Sequence, residues 1–414
     1  MNGTMLLHAD PIGEDARLGG GGRARAGDAV LAELGAELFS SMPRSDQRVK
    51  GMRYVRGLLE AEGRKSIRNI ATLFGGDAEE QSLHHFIAGS TWDWVPVRRA
   101  LAQHVERVAQ PEAYVVHPLV IPKAGETSVG VERRFVPTLG QVVNAQQAVG
   151  VWSASADWST PLNWRLYLPH AWLADRRRRR QASIPDSEEP ETLGQCSVRA
   201  YLGLINSSRL PVRPVVMDAR HTDVSAVVQR LRAADTPMLL RVDGNLRLTV
   251  DEPAFPRRGA AMTAQQIMSA VWHMWHPGAR PGEDRAGRSL VVTLRTSLVP
   301  DGRRTGHTGP LLLMGVSEHG RWPAELWLTD LTSHTSGELL RLARLTRQVD
   351  RDLEEVADGV GIRDFSGRSF TGWHRHATLA SAAHAVTVLS RGPGRARPWR
   401  APLTGGPDGP VRMI

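Results

Sequence analysis

Hydrophobic and polar residues recur along this chain with two different periods. Between residues 28 and 110 the apolar side chains return every three to four positions, which is the spacing of amphipathic helices. Gly63 and Gly89 end two of these helices, since glycine commonly terminates a helix. Three strand-like runs then follow one another between residues 114 and 168 without an intervening helix. The pattern predicts a helical unit followed by consecutive strands.

Helices and strands alternate in the next part of the chain. Helix 193–208 precedes a buried strand, 212–217, and helix 222–234 precedes another, 237–242. Consecutive strands followed by this alternation predict an α/β fold, a mixed sheet flanked by helices. The alternation stops after Val242, where further strand-like runs indicate a β-rich insertion. Two more helices are predicted, from Thr335 and from near Thr371.

The two ends of the chain differ in composition from the rest. Gly19–Gly22 and the neighbouring arginines, like the Arg/Gly/Pro-rich tail, cannot bury enough apolar surface to fold alone. In the helical unit at 29–110, short helices with glycine turns and basic residues around those turns favour a DNA-binding domain, with a helical cap on the core as the alternative. The rest of the predicted division is a disordered lead at 1–28, the first part of the α/β core at 111–242, the insertion at 243–330, the C-terminal core helices at 331–390 and a basic disordered tail at 391–414.

Charge adds a candidate partner. The formal net charge is +9, and the cations are arginines apart from three lysines. Guanidinium groups match phosphate geometry, so double-stranded DNA is the leading partner, although codon usage alone could produce the same bias. An arginine run at residues 176–180 could equally be a solvated face. The candidate DNA contacts are Arg56, Arg64, Lys65, Arg68, Lys123, Arg133, Arg134, Arg176, Arg177 and Arg178.

The cysteine content and the length of the apolar runs indicate the cellular compartment. Cys196 is the single cysteine, which excludes an internal disulfide framework and fits a reducing cytoplasm. No apolar run approaches the roughly 20 residues that span a bilayer, and no signal-peptide core is found. We expect a cytoplasmic, nucleoid-associated protein without membrane contact.

Several segments carry a resemblance to a known family. They include IPKAGETSVGVERRF and LGQVVNAQQAVGV around the first strands, VVMDAR at the end of strand 212–217, and GRSFTGWHRHATLASAAHA near the C-terminus. In order and spacing they resemble the DDE-superfamily transposases of bacterial insertion sequences. The resemblance implies a ribonuclease-H-like core, a helical N-terminal region, a β-rich insertion, and self-association as a homodimer or larger assembly.

The resemblance also implies a catalytic triad, from which this sequence departs. Such enzymes hold two Mg²⁺ or Mn²⁺ ions, about 3.5–4 Å apart, with three carboxylates. The middle carboxylate matches Asp218, and the third matches Asp350, one methylene shorter than the usual glutamate. The first position holds His117, followed by Pro118, where the family has two aspartates. An imidazole cannot bridge two hard cations, which prefer oxygen ligands.

Three hypotheses follow. The first is a transposase-derived DNA-binding protein, a pseudoenzyme that needs no cofactor and is co-opted for a regulatory or chromosome-maintenance role. The second is an active metal-dependent transposase that cleaves and transfers DNA strands, with Asp218 and Asp350 as metal ligands and Glu126 or Glu132 replacing the lost carboxylate. The third is a protein-interaction scaffold without DNA affinity.

Overall fold

A computed structural model describes residues 15–136, 139–253, 255–275, 290–299, 309–318 and 321–392. Residues 1–14 of the predicted lead and 393–414 of the predicted tail lie outside this range. Helix α1, Asp15–Leu38, begins inside the segment that the sequence analysis assigns to a disordered lead. Its packed half, with Leu34 and Leu38 buried, provides a nucleus, and extending an existing helix costs far less than starting one.

The helical pattern between residues 28 and 110 is confirmed. Ser66 and Asp93 cap two of the helices, their side chains accepting hydrogen bonds from the backbone N–H groups of Asn69 and Val95. After α1 the helices are α2 (Ser45–Glu60), α3 (Ile67–Thr72), α4 (Asp77–Ala88) and α5 (Trp94–Ala109).

The described strands form one mixed sheet. Strand β1 (Ala113–Pro122) pairs antiparallel with β3 (Gln141–Ser155), and β3 pairs antiparallel with β2 (Glu132–Val136) and β4 (Trp158–Leu166). On its other side β1 is parallel to β5 (Val215–Asp218), which is parallel to β6 (Met238–Arg241). The order β4-β3-β1-β5-β6, with two antiparallel and two parallel pairings, is that of ribonuclease H, so the predicted fold class is confirmed.

The strands after β6 extend this same sheet instead of forming a second one. The β11 strand pairs antiparallel with β6, and β10, β9, β7 and β8 follow in that order. Their bounds, with that of the helix among them, are β7 (Arg247–Val250), β8 (Ala261–Thr263), α10 (Ala264–Trp275), β9 (Val291–Leu298), β10 (Leu311–Glu318) and β11 (Arg321–Thr329).

The other helices flank the sheet. Two short ones, α6 (His170–Ala174) and α7 (Arg176–Gln181), follow β4. The last helix, α12 (Phe370–Leu389), is buried along nearly its whole length. No helix within the described ranges combines the length and apolar character needed to cross a membrane. The remaining helices are α8 (Leu193–Ser208), α9 (Val224–Arg232) and α11 (Ser336–Asp352), followed by a π-helical segment at Leu353–Ala357.

One hydrophobic core runs through all these layers. Tyr54 and Leu58 of α2 belong to the same buried cluster as Val115 of the central strand and Leu379 of α12. The helical N-terminal part therefore packs continuously onto the sheet. The domain boundaries predicted from the sequence stay a prediction.

Candidate metal centre at the end of the central strands

The pairing of β1 with β5 determines where two of the triad positions lie. Val116 is opposite Met217, so His117 and Asp218 are the next residues on two adjacent parallel strands. Asp218 is in turn opposite Arg241 of β6. Asp218 ends β5, whereas His117 lies in the middle of β1, at the point where the parallel pairing of the two strands stops. Ligand sites of open α/β sheets commonly lie outside the carboxyl ends of strands such as β5.

The third position comes from the other end of the chain. Helix α11 begins with a capping box between Thr335 and Glu338, and its buried face, including Leu345 and Val349, packs on the sheet. This packing brings Asp350 in its last turn to β1. The Nε2–H of His117 donates to Oδ1 of Asp350 at 2.8 Å. Two positions separated by 233 residues are therefore in direct contact.

Asp218 is bound by an arginine. The guanidinium of Arg220 donates from Nη2 to Oδ2 at 2.6 Å and from Nε to both carboxylate oxygens at 3.0 Å. The Arg220 backbone N–H also donates to Oδ1, at 3.1 Å. Partial burial would raise the pKa of Asp218, but these hydrogen bonds outweigh it and hold the pKa below its usual value. The pairing raises the pKa of Arg220 correspondingly.

A further acid lies among arginines next to this edge. Glu325 of β11 accepts from Nη2 of Arg241 at 3.3 Å and from Nη2 of Arg347 at 3.2 Å. It also accepts from the indole N–H of Trp327 at 3.0 Å. Sequence reasoning missed Glu325, although an acid inside an apolar strand such as residues 324–329 was a usable signal, since buried charges are paired.

These residues do not fit the two-ion site of a DDE enzyme. His117 offers a nitrogen where a hard cation needs a bridging oxygen, and its ring N–H is directed at Asp350. Both oxygens of Asp218 already accept from a cation. Within the described ranges, the one set of three metal-ligand side chains whose atoms all lie within 4.8 Å is Glu33, Glu37 and His104, on α1 and α5.

That set on α1 and α5 has a structural explanation. Nη2 of Arg107 donates to Oε1 of Glu37 at 2.6 Å and contacts Nδ1 of His104 at 3.0 Å. An arginine therefore already contacts two of the three side chains. The group is an ion-paired contact that fastens α1 to α5.

Nearby acids are also engaged elsewhere. Buried Asp352, two residues after Asp350, accepts from the backbone N–H and hydroxyl of Ser159 at 2.6 and 2.8 Å, so it is directed at β4. Glu132 is bonded to Arg134 on its own strand. Glu126 lies exposed in the loop between β1 and β2.

Comparison with known proteins identifies the family. A model of the DDE superfamily endonucleases matches residues 37–268, which is more than half of the chain. The chain belongs to this family. It is also similar to a protein named probable transposase for insertion sequence element IS701, from Microchaete diplosiphon, with 29% identity over 133 residues. This match covers 31% of the chain and 32% of the relative, so the chain spans about a third of that protein's length.

The candidate DNA contacts of this DDE-superfamily member occupy different environments. Arg68, Arg133, Arg176 and Arg177 are exposed. Arg64 pairs with Asp364 at 3.7 Å, Arg56 with Asp28 at 3.3 Å, and Arg134 with Glu132 and Gln147 on the sheet. Exposed Arg178 stacks over Trp172, with 5.5 Å from its guanidinium carbon to the ring centroid.

The two lysines among these candidates face inward. Lys65 is 8% exposed, and its ammonium donates to the Ala61 carbonyl. The Lys123 ammonium donates to the Phe365 carbonyl at 2.6 Å, and burial lowers the pKa of Lys123 to about 8. Either lysine would have to leave its carbonyl to reach a phosphate. Their role in DNA contact stays a prediction, but the exposed arginines need no such rearrangement.

Proposed function

We propose that this chain is a transposase-derived DNA-binding protein that has lost DDE cleavage and serves a regulatory or chromosome-maintenance role. One observation carries the proposal: an imidazole stands at the first ligand position and donates to the third. Losing a bridging anion between two dications forfeits several kcal/mol, and each ~1.4 kcal/mol is tenfold in rate.

Support for DNA binding comes from charge and from the family. The net charge is +9, and arginines on α3, β2 and α7 are exposed to solvent. Exposed guanidiniums can neutralise phosphates and release counterions, which is the main source of sequence-independent affinity. Because the chain is similar to a probable insertion-sequence transposase, we propose double-stranded DNA as its partner. A homodimer or larger assembly is part of the same proposal.

Two assays on purified protein test the proposal. A gel shift with a duplex should show binding that weakens steeply with salt; about six phosphate contacts correspond to a loss of roughly 10³ between 50 and 200 mM. Incubation of the same duplex with Mg²⁺ or Mn²⁺ should give no nicking or strand transfer. Metal-dependent cleavage that Asp218→Ala abolishes would establish the active transposase instead. Absence of binding at low salt would favour the scaffold hypothesis.

A further inference from the structure

Each carboxylate that remains at a triad position is bound by a cationic or N–H donor group of the same chain. Arg220 holds Asp218 through three side-chain contacts of 2.6–3.0 Å. His117 holds Asp350 through one contact of 2.8 Å. The acids are Asp350 on α11 and Asp218 at the end of β5, and the donors are His117 on β1 and Arg220 just after β5. They lie where cations would have to approach those acids.

The Arg220 contact is the stronger barrier to a metal ion. A guanidinium that meets both carboxylate oxygens forms charge-assisted hydrogen bonds, roughly twice as strong as neutral ones. Asp218 and Arg220 are 31% and 38% exposed, so solvent screens the pair only in part. A divalent ion at Asp218 must first break this pair and would then face an adjacent guanidinium.

We propose that the Arg220 guanidinium and the His117 ring N–H take the place of metal ions at this site, so that both carboxylates are held without Mg²⁺. The inference rests on the proposed function for the loss of cleavage and extends it to metal affinity itself. Under this proposal Arg220, which is outside the triad, itself hinders metal binding at Asp218. Removing Arg220 frees Asp218, and restoring an acid at position 117 supplies the missing ligand and frees Asp350.

Mn²⁺ binding, followed by the electron paramagnetic resonance signal of the free ion, tests this directly. Wild type should leave millimolar Mn²⁺ free, Arg220→Ala should bind more than wild type, and Arg220→Ala with His117→Asp should bind most. We expect an affinity gain on the order of tenfold or more for the double variant. Circular dichroism and melting temperature establish that each variant is folded. If the double variant is unfolded, the comparison of Arg220→Ala with wild type decides the test.

Arg44→Ala is the matched control. Arg44 binds both oxygens of Asp46, two residues away, at 2.8 and 3.0 Å, but on α2 and away from the sheet edge. Without Arg44 the aspartate still pairs with Lys50, at 3.6 Å, and the variant should add no Mn²⁺ affinity. The inference is overturned if wild type binds Mn²⁺ as tightly as the double variant, with binding lost in Asp218→Asn, or if the folded Arg220→Ala variants bind no better than wild type. Tight binding by a wild type that does not cleave would leave the proposed function standing.

Discussion

His376 joins two distant parts of the chain through both of its ring nitrogens. Its Nε2–H donates to the Gly361 carbonyl at 2.8 Å, because a carbonyl can only accept. In the neutral ring Nδ1 is then unprotonated, and it accepts from the Tyr54 hydroxyl at 2.9 Å. Burial lowers the pKa of His376 to about 4, only partly offset by the Gly361 carbonyl and Asp364. The native state therefore requires a neutral ring.

This requirement predicts that the protein loses stability in mild acid. A folded-state pKa of about 4 against an ordinary value of 6.5 means that the unfolded chain binds more protons between these values. The contribution is fully present above pH 6.5 and is lost as the pH falls towards 4. Between pH 7 and 5 the loss from this residue is about 2 kcal/mol.

Urea unfolding of wild type and His376→Gln checks the prediction. Glutamine does not titrate and can keep a donor near Gly361, so the variant should lose about 2 kcal/mol less than wild type between pH 7 and 5. His374 and His384 are also buried, with lowered pKa values, and act in the same direction in both proteins. Parallel pH profiles for the two proteins would contradict the assignment.

At the scale of elements, a buried arginine fastens α5 to the rest of the core. Arg98 is 5% exposed and donates to the Thr378 hydroxyl at 2.7 Å, the Asn163 amide oxygen at 2.9 Å and the Trp164 carbonyl at 2.7 Å. It also donates to the His374 carbonyl at 3.0 Å. These contacts connect α5 with β4 and α12. Burial lowers the pKa of Arg98 to about 9, yet it remains charged at neutral pH.

Arg98→Lys should therefore be severely destabilising. Lysine keeps the charge but has three donors on one nitrogen, which cannot reach partners on both β4 and α12. Losing charged hydrogen bonds and leaving buried acceptors unpaired should lower the free energy of unfolding by about 3 kcal/mol. Arg99→Lys, on the exposed side of the same helix, should stay within about 0.5 kcal/mol. Equal stability of the two variants in denaturant titrations would refute the role of Arg98.

Hydrophobic periodicity predicted which helices and strands are present better than it predicted where each one ends. The helix predicted from Thr335 ends at Asp352, and the next five residues form a π-helical segment, for which the apolar pattern has no signal. Strand β2 was missed because it is a short edge strand with only Val136 buried. The arginine run carried no helix prediction, but Asp175 accepts from two backbone N–H groups and caps it as helix α7.

The sequence predicted which residues form the candidate site but not the contacts that they make. The resemblance indicated His117, Asp218 and Asp350, whereas the hydrogen bond between the first and third depends on how α11 packs on the sheet. Arg220 was overlooked although it is two residues from Asp218. Sequence alone cannot distinguish an arginine that extends into solvent from one that folds back on a neighbouring carboxylate.

At the scale of the molecule, exposed arginines lie towards both ends of the long sheet. Helix α7 follows β4, which pairs with β3 at one end. Exposed Arg257 and Arg258 lie in the connection between β7 and β8, the last strands at the other end. Arg176 and Arg177 of α7 contribute as much to the net charge as Arg257 and Arg258 do. A bound duplex, however, would contact only the pair that lies along its path. If the duplex lies along the end of the sheet that contains β3 and β4, we expect only the α7 arginines to contact phosphates.

Arg176→Ala with Arg177→Ala should therefore weaken binding to every duplex sequence, because phosphate contacts carry no sequence information. Losing two phosphate contacts should reduce the slope of log affinity against log salt by about 2. Arg257→Ala with Arg258→Ala removes the same charge and should leave that slope nearly unchanged. Gel shifts over a salt series measure both slopes. Equal losses in the two variants would mean that affinity depends on net charge alone, and a loss confined to the second pair would locate the duplex at the β7–β8 end.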